Sequence, residues 1–129
     1  MNLKEIYSSA DIQNSGFLAK KDPVISFEIF PPKDDITGEK LDKLVNHLTI
    51  LKKYNPALVS LTYGAGGTTQ QKSFDIIIRL QNDLQLSIMP HFTCVGATKS
   101  QIEVYLKEIL SIGVENILAP KDPHTVLDA

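Results

Sequence analysis

Glu28, Thr62, His91 and Asp122 stand out because each lies in or just after a short apolar run, and together they supply two carboxyls, a hydroxyl and an imidazole. Such a set can transfer a proton and hold a polar ligand. Glu28 lies near the end of Val24-Ile25-Ser26-Phe27-Glu28-Ile29-Phe30, where a carboxylate is costly to desolvate. Partial burial there raises a carboxyl's pKa, which suits proton donation near neutrality. The plainer reading pairs Glu28 with a base such as Arg79 or a lysine. Thr62-Tyr63 leads into Gly64-Ala65-Gly66-Gly67-Thr68-Thr69, whose backbone N–H groups can receive an anion or let a planar ligand lie close. No Gly-Lys-Ser/Thr follows, and Thr69 takes the place of the last glycine in the dinucleotide fingerprint. A tight turn with a helix cap explains the same residues. Met89, His91 and Thr93 share a face, but one imidazole does not make a metal site. Cys94 reads as a small buried hydrophobe. Lys121 and Asp122 form a further polar pair, or a solvated turn. The sequence shows no metal cluster and no nucleophile–base pair.

Alternating β-rich and amphipathic runs supply the elements that carry these side chains. A strand over 24–30 is closed by Pro31-Pro32. A helix from about Thr37 to Tyr54 follows, with Leu41, Leu44, Val45, Leu48 and Leu51 on one face, and Asn55-Pro56 stops it. A second strand spans 57–63, and a second helix runs from about Thr69 to Leu84 with Phe74, Ile77, Ile78 and Leu80 as anchors. The third strand is 87–94, with Pro90 inside it. Thr98 or Ser100 caps a third helix to about Ile112, burying Ile102, Tyr105, Leu106, Ile109 and Leu110. Gly113 is its left-handed stop, and a fourth strand covers 114–119. In the first strand, Ile25, Phe27 and Ile29 face helices while Ser26, Glu28 and Phe30 face away. This rhythm predicts parallel strands in right-handed βαβ units. A small open sheet and part of a (β/α)8 barrel both fit, and both place chemistry at the strands' carboxyl ends.

Composition sets the bounds. The 129 residues, 43% hydrophobic and 22% charged, describe one ordinary globular domain. Thirteen Lys and Arg against fifteen Asp and Glu give a net charge of -2, without the overall basic bias of a nucleic-acid binder. A lone cysteine excludes an internal disulfide. No apolar run approaches the ~18 residues that cross a bilayer, and the start lacks a secretory pattern. A cytoplasmic location, with no membrane or nucleic-acid partner, is the expectation.

Three motifs in order, Ser26-Phe27-Glu28-Ile29-Phe30-Pro31-Pro32, Val59-Ser60-Leu61-Thr62-Tyr63-Gly64-Ala65-Gly66-Gly67 and His91-Phe92-Thr93-Cys94, resemble methylenetetrahydrofolate reductase. Gly113 and Asn116-Ile117-Leu118-Ala119 agree with it, and the resemblance runs from about residue 20 to residue 120. It implies a (β/α)8 barrel holding FAD at the carboxyl ends of its strands. It also implies hydride transfer from NADH or NADPH to the flavin, and from the flavin to 5,10-methylenetetrahydrofolate, giving 5-methyltetrahydrofolate. Glu28 matches the family's general acid, which assists protonation at folate N10 and opening of the five-membered ring. Thr62 matches a residue near nicotinamide and flavin, and Tyr63, Ala65 and His91 match flavin contacts. Where the family has Leu-Arg-Gly-Asp, this chain reads Ala119-Pro120-Lys121-Asp122. Lys121 and Asp122 replace the Arg and Asp, with Asp122 beside flavin and folate.

A full barrel takes about 250 residues. The expected organisation is therefore one segment, 1–129: the amino-terminal half of the barrel's strands, from a truncated chain. An open sheet edge invites another chain, so the alternative is a non-catalytic half-barrel that assembles with itself or a complementing chain. A small unrelated α/β domain binding a nucleotide at the glycine turn is a third reading.

Overall fold

The computed structural model describes residues 2–6, 24–32, 38–62, 70–94 and 96–119. Three parallel strands form the sheet: β1 (Ser26–Ile29), β2 (Leu58–Leu61) and β3 (Ile88–Pro90), in the order β1-β2-β3. Between and after them lie α1 (Glu39–Leu51), continued by a 3-10 turn over Lys52–Tyr54, then α2 (Gln70–Leu84) and α3 (Lys99–Ser111). The register sets Glu28 opposite Ser60 and Ser60 opposite Met89.

The helix ends follow from local chemistry. Thr98 caps α3: its hydroxyl accepts from the Gln101 N–H at 3.2 Å, and the Gln101 side chain accepts from the Thr98 N–H at 2.8 Å. That reciprocal box satisfies two donors. At the other end Gly113 takes φ 84°. There the Gly113 N–H donates to the Leu110 carbonyl and the Val114 N–H to the Ile109 carbonyl. This double closure needs a residue that tolerates the left-handed region.

One apolar cluster joins the sheet to all three helices. Ile29, Val59, Leu61 and Ile88 meet Leu48 of α1, Ile77 and Leu80 of α2, and Tyr105 and Ile109 of α3. The strand residues in this cluster all project to one side, as does the partly buried Phe27, so all three helices cover that side. Consecutive strand order with these helices on a single side differs from a doubly wound sheet, whose helices cover both sides.

Several expectations change. Leu106 and Leu110 of α3 and Ile78 of α2 are exposed, whereas Ile76 and Leu84 are buried. Ile25, placed among the helix-facing residues, is exposed at the strand entrance. Cys94 is exposed rather than buried. Among the described residues the fourth strand shrinks to one parallel bridge between His91 and Leu118. The Leu118 N–H donates to the Pro90 carbonyl and the Phe92 N–H to the Leu118 carbonyl. One step back in that ladder the donor would be residue 90, and proline has no N–H to give.

The sequence reading assigned no element to the amino terminus, yet residues 3–6 are helical. Ile6 is buried, and the Leu3 N–H donates to Asn116 Oδ1 at 2.8 Å.

Candidate functional site

Each candidate side chain is placed by a strand end. Glu28 sits one residue before the end of β1, Thr62 one residue after β2, and His91 one residue after β3. The ladder continues past the strands: the Thr62 N–H donates to the Ile29 carbonyl at 3.0 Å and the His91 N–H to the Leu61 carbonyl at 2.8 Å. Both backbones are therefore fixed. The Thr62 hydroxyl also donates to the Ile29 carbonyl, at 3.3 Å. Period-two alternation puts Glu28, Ser60, Thr62, Met89 and His91 on the side of the sheet away from the helices.

On that side Glu28 Oε1 lies 3.9 Å from His91 Nε2. The two strands are not neighbours, because β2 runs between them. The side chains approach across β2, where Ser60, small and buried, lies opposite Glu28 and Thr62 follows it on the same side. His91 is 15% exposed and Glu28 53% exposed. Nε2 of His91 is closed off from solvent and has no hydrogen-bond partner among the described residues. The partial burial expected of Glu28 is thus absent, and the more enclosed group is the imidazole.

Arg79 is not the partner of Glu28. Its guanidinium pairs instead with Asp42 of α1 and Asp83 of α2. The hydrogen bond to Asp42, and then that to Asp83, push its already high pKa further up. It stays cationic at any pH where the protein is handled.

Aromatic packing holds the His91 segment from behind. The ring of Phe92 stacks on Tyr105 with centroids 4.1 Å apart, and Phe74 stacks on the same Tyr105 at 5.6 Å. Phe92 projects to the helix side, so its neighbour His91 is directed to the open side. Neither the stack nor the central position of Ser60 was read from the sequence. The aromatic residues lie in three separate segments, and only the strand register reveals what Ser60 separates.

Tyr63, Ala65, Lys121 and Asp122 lie outside the described residues, as does the turn from Gly64 to Gly67. Among the described residues no group of three His, Cys, Asp or Glu side chains is placed to hold a metal ion, and no helix is long and apolar enough to cross a membrane. A cleft of about 240 Å³ opens at the opposite end of the sheet, lined by Gln81, Gln85, Ser87, Gly113, Glu115 and Asn116 among others. It lies at the amino ends of the strands, where parallel α/β folds keep stabilising contacts rather than chemistry.

The comparisons with known proteins agree with this arrangement. The family described as methylenetetrahydrofolate reductase matches residues 14–124. The chain is 36% identical over 101 residues to methylenetetrahydrofolate reductase (NADH) 1 of Arabidopsis thaliana, covering 77% of this chain and 17% of that protein. It is 37% identical over 94 residues to 5,10-methylenetetrahydrofolate reductase of Buchnera aphidicola, covering 73% of this chain and 31% of that protein. For the Escherichia coli protein of the same name, identity is 32% over 95 residues, covering 74% of this chain and 31% of that protein. The chain thus spans about a sixth to a third of the length of these curated relatives. With the family match covering most of its length, and parallel strands carrying a carboxyl, a hydroxyl and an imidazole at their carboxyl ends, this chain belongs to the methylenetetrahydrofolate reductase family.

Proposed function

We propose that the chain forms the first βα units of a (β/α)8 barrel and supplies the acid-bearing wall of a site that reduces 5,10-methylenetetrahydrofolate to 5-methyltetrahydrofolate. The observation that carries this reading is the approach of Glu28 and His91, with Thr62 between their strands, at the carboxyl ends of three consecutive parallel strands. Single-sided winding in consecutive order supports the barrel.

The donor set fits FAD. An imidazole, a hydroxyl and a carboxyl on one rim suit the polar edge of a heteroaromatic ring, and Thr62, Tyr63, Ala65, His91, Lys121 and Asp122 would hold it. When bound, the flavin supplies a hydride carrier between nicotinamide and folate. NADH in the names of plant relatives supports a nicotinamide donor. Glu28 acts as the proton donor to the folate ring nitrogen that must leave, and Asp122 orients the pterin. Glu28's exposure gives it access to a ligand above the sheet.

A titration of the purified chain with FAD, followed by visible absorbance, tests the reading. Bound-flavin bands are expected, and they should weaken in His91→Ala. A free-flavin spectrum with the chain folded by circular dichroism would overturn it. That outcome would favour the second reading, a non-catalytic half-barrel pairing with itself or a partner chain. The observation behind that reading is exposed apolar surface at two places, Phe30 just after β1, 71% exposed, and Leu110 near the end of α3, 66% exposed.

A further inference from the structure

We infer that His91 is the positioning residue of Glu28, its Nε2–H directed at the carboxylate, and that Ser60 is the spacer that lets the two meet. The inference deepens the proposed function and takes from it only the role of Glu28 as proton donor.

Three observations carry it. First, strands two apart in a sheet are separated by about 9.5 Å, yet Glu28 Oε1 and His91 Nε2 lie 3.9 Å apart. Both side chains therefore lean inward over β2. Second, the pair crosses β2 between two short residues on that side, Ser60 opposite Glu28 and Thr62 level with His91, and Ser60 is the one with no branch at Cβ. A long or branched side chain at Ser60 would fill the space the pair shares. Third, Nε2 of His91 is enclosed and lacks a hydrogen-bond partner among the described residues. An enclosed polar atom without a partner is costly, and the Glu28 carboxyl is the group within 4 Å of it. A small rotation of the exposed Glu28 side chain closes the remaining gap to hydrogen-bond distance, whereas His91 is fixed by its backbone bond to Leu61 and by the Phe92–Tyr105 stack.

This division of labour is specific. The rigid imidazole sets where the Glu28 carboxyl sits: its Nε2–H donates to one oxygen, and the other oxygen carries the proton that goes to the substrate. With an N–H facing it, the carboxyl is held over the centre of the sheet rather than swinging into solvent. No bond is made or broken between the two side chains.

Nitrogen-15 NMR of the imidazoles in the folded, flavin-free chain tests the pairing directly. The chain has three histidines, and His91→Gln identifies the His91 signals by their loss. At neutral pH the Nε2–H tautomer of His91 is expected. Glu28→Gln should move the His91 nitrogen resonances, while Glu103→Gln on α3 should leave them in place. Ser60→Ala should keep the coupling and Ser60→Leu should abolish it. If Ser60→Leu fails to fold, the Glu28→Gln comparison decides alone. His91 resonances unmoved by Glu28→Gln would overturn the inference. Because no flavin is present, its failure is distinguishable from that of the proposed function: coupled signals in a chain that binds no flavin would leave the pair standing, and flavin binding without coupling would remove the pair alone.

Discussion

Glu28 lies one residue before the end of β1, exposed on the side of the sheet away from the helices, with His91 Nε2 3.9 Å from its carboxyl. Glu28→Gln keeps the shape and removes the ionisable proton. In an assembled reductase it is expected to lower folate reduction by roughly a hundred- to ten-thousand-fold, the usual range for a general acid. Reduction of the flavin by NADH, measured alone by stopped-flow absorbance, should be unchanged. Equal loss of both half-reactions would count against proton donation. Thr62 differs, since its hydroxyl already donates to the Ile29 carbonyl. Thr62→Val would remove that second donor and any ligand contact of the hydroxyl, while the Thr62 N–H keeps its bond to the Ile29 carbonyl and the backbone beside Glu28 stays in place.

At the scale of elements, the helices are held by caps and core contacts rather than by charge. Thr98→Ala removes the Oγ1 acceptor and should cost about 1 kcal/mol in urea unfolding. Arg79→Ala breaks two ion pairs between exposed groups, and surface pairs contribute about 0–1 kcal/mol. Its effect should shrink further when salt is added. A guanidinium whose pKa is raised contributes stability that is complete below its unfolded value and fades only as pH climbs through the folded one. Arg79 therefore adds no pH dependence in the neutral range. Ile77→Ala should cost far more, about 2–5 kcal/mol, because the side chain is fully buried between sheet and helices. Circular dichroism melts of the three variants should rank Ile77→Ala lowest and Arg79→Ala nearest to wild type.

For the whole molecule, α1, α2 and α3 all pack on one side of the sheet, and among the described residues no other helix is placed against the opposite side. Among the described residues, the outer edge of β1 pairs with no other strand. Phe30 and Leu110 project from the rim of the sheet and from α3. Parallel sheets are stable when both sides are covered, and unpaired edges recruit other strands. Sedimentation of the chain by itself should show association that rises with concentration, and Phe30→Ser with Leu110→Glu should reduce it. A sharp monomer at all concentrations would show that the rim is already satisfied.

Much of this was legible in one dimension, and the reason is periodicity. Helical spacing located α1, α2 and α3, Thr98 and Gly113 marked the ends of α3, and alternation sorted Phe27 and Ile29 from Glu28. These signals are local, set by backbone geometry within a few residues. The burial of Leu106 and Leu110 was misread for the same reason: a helix shows its apolar stripe, but not whether a neighbour comes to cover it. Pairing across strands is non-local. That Glu28 meets His91 and not Arg79, that Ser60 lies between them, and that Pro90 reduces the fourth strand to a bridge all depend on register. Register arises when the sheet and the apolar cluster form together, since shifting a strand by one residue turns every side chain to the opposite side.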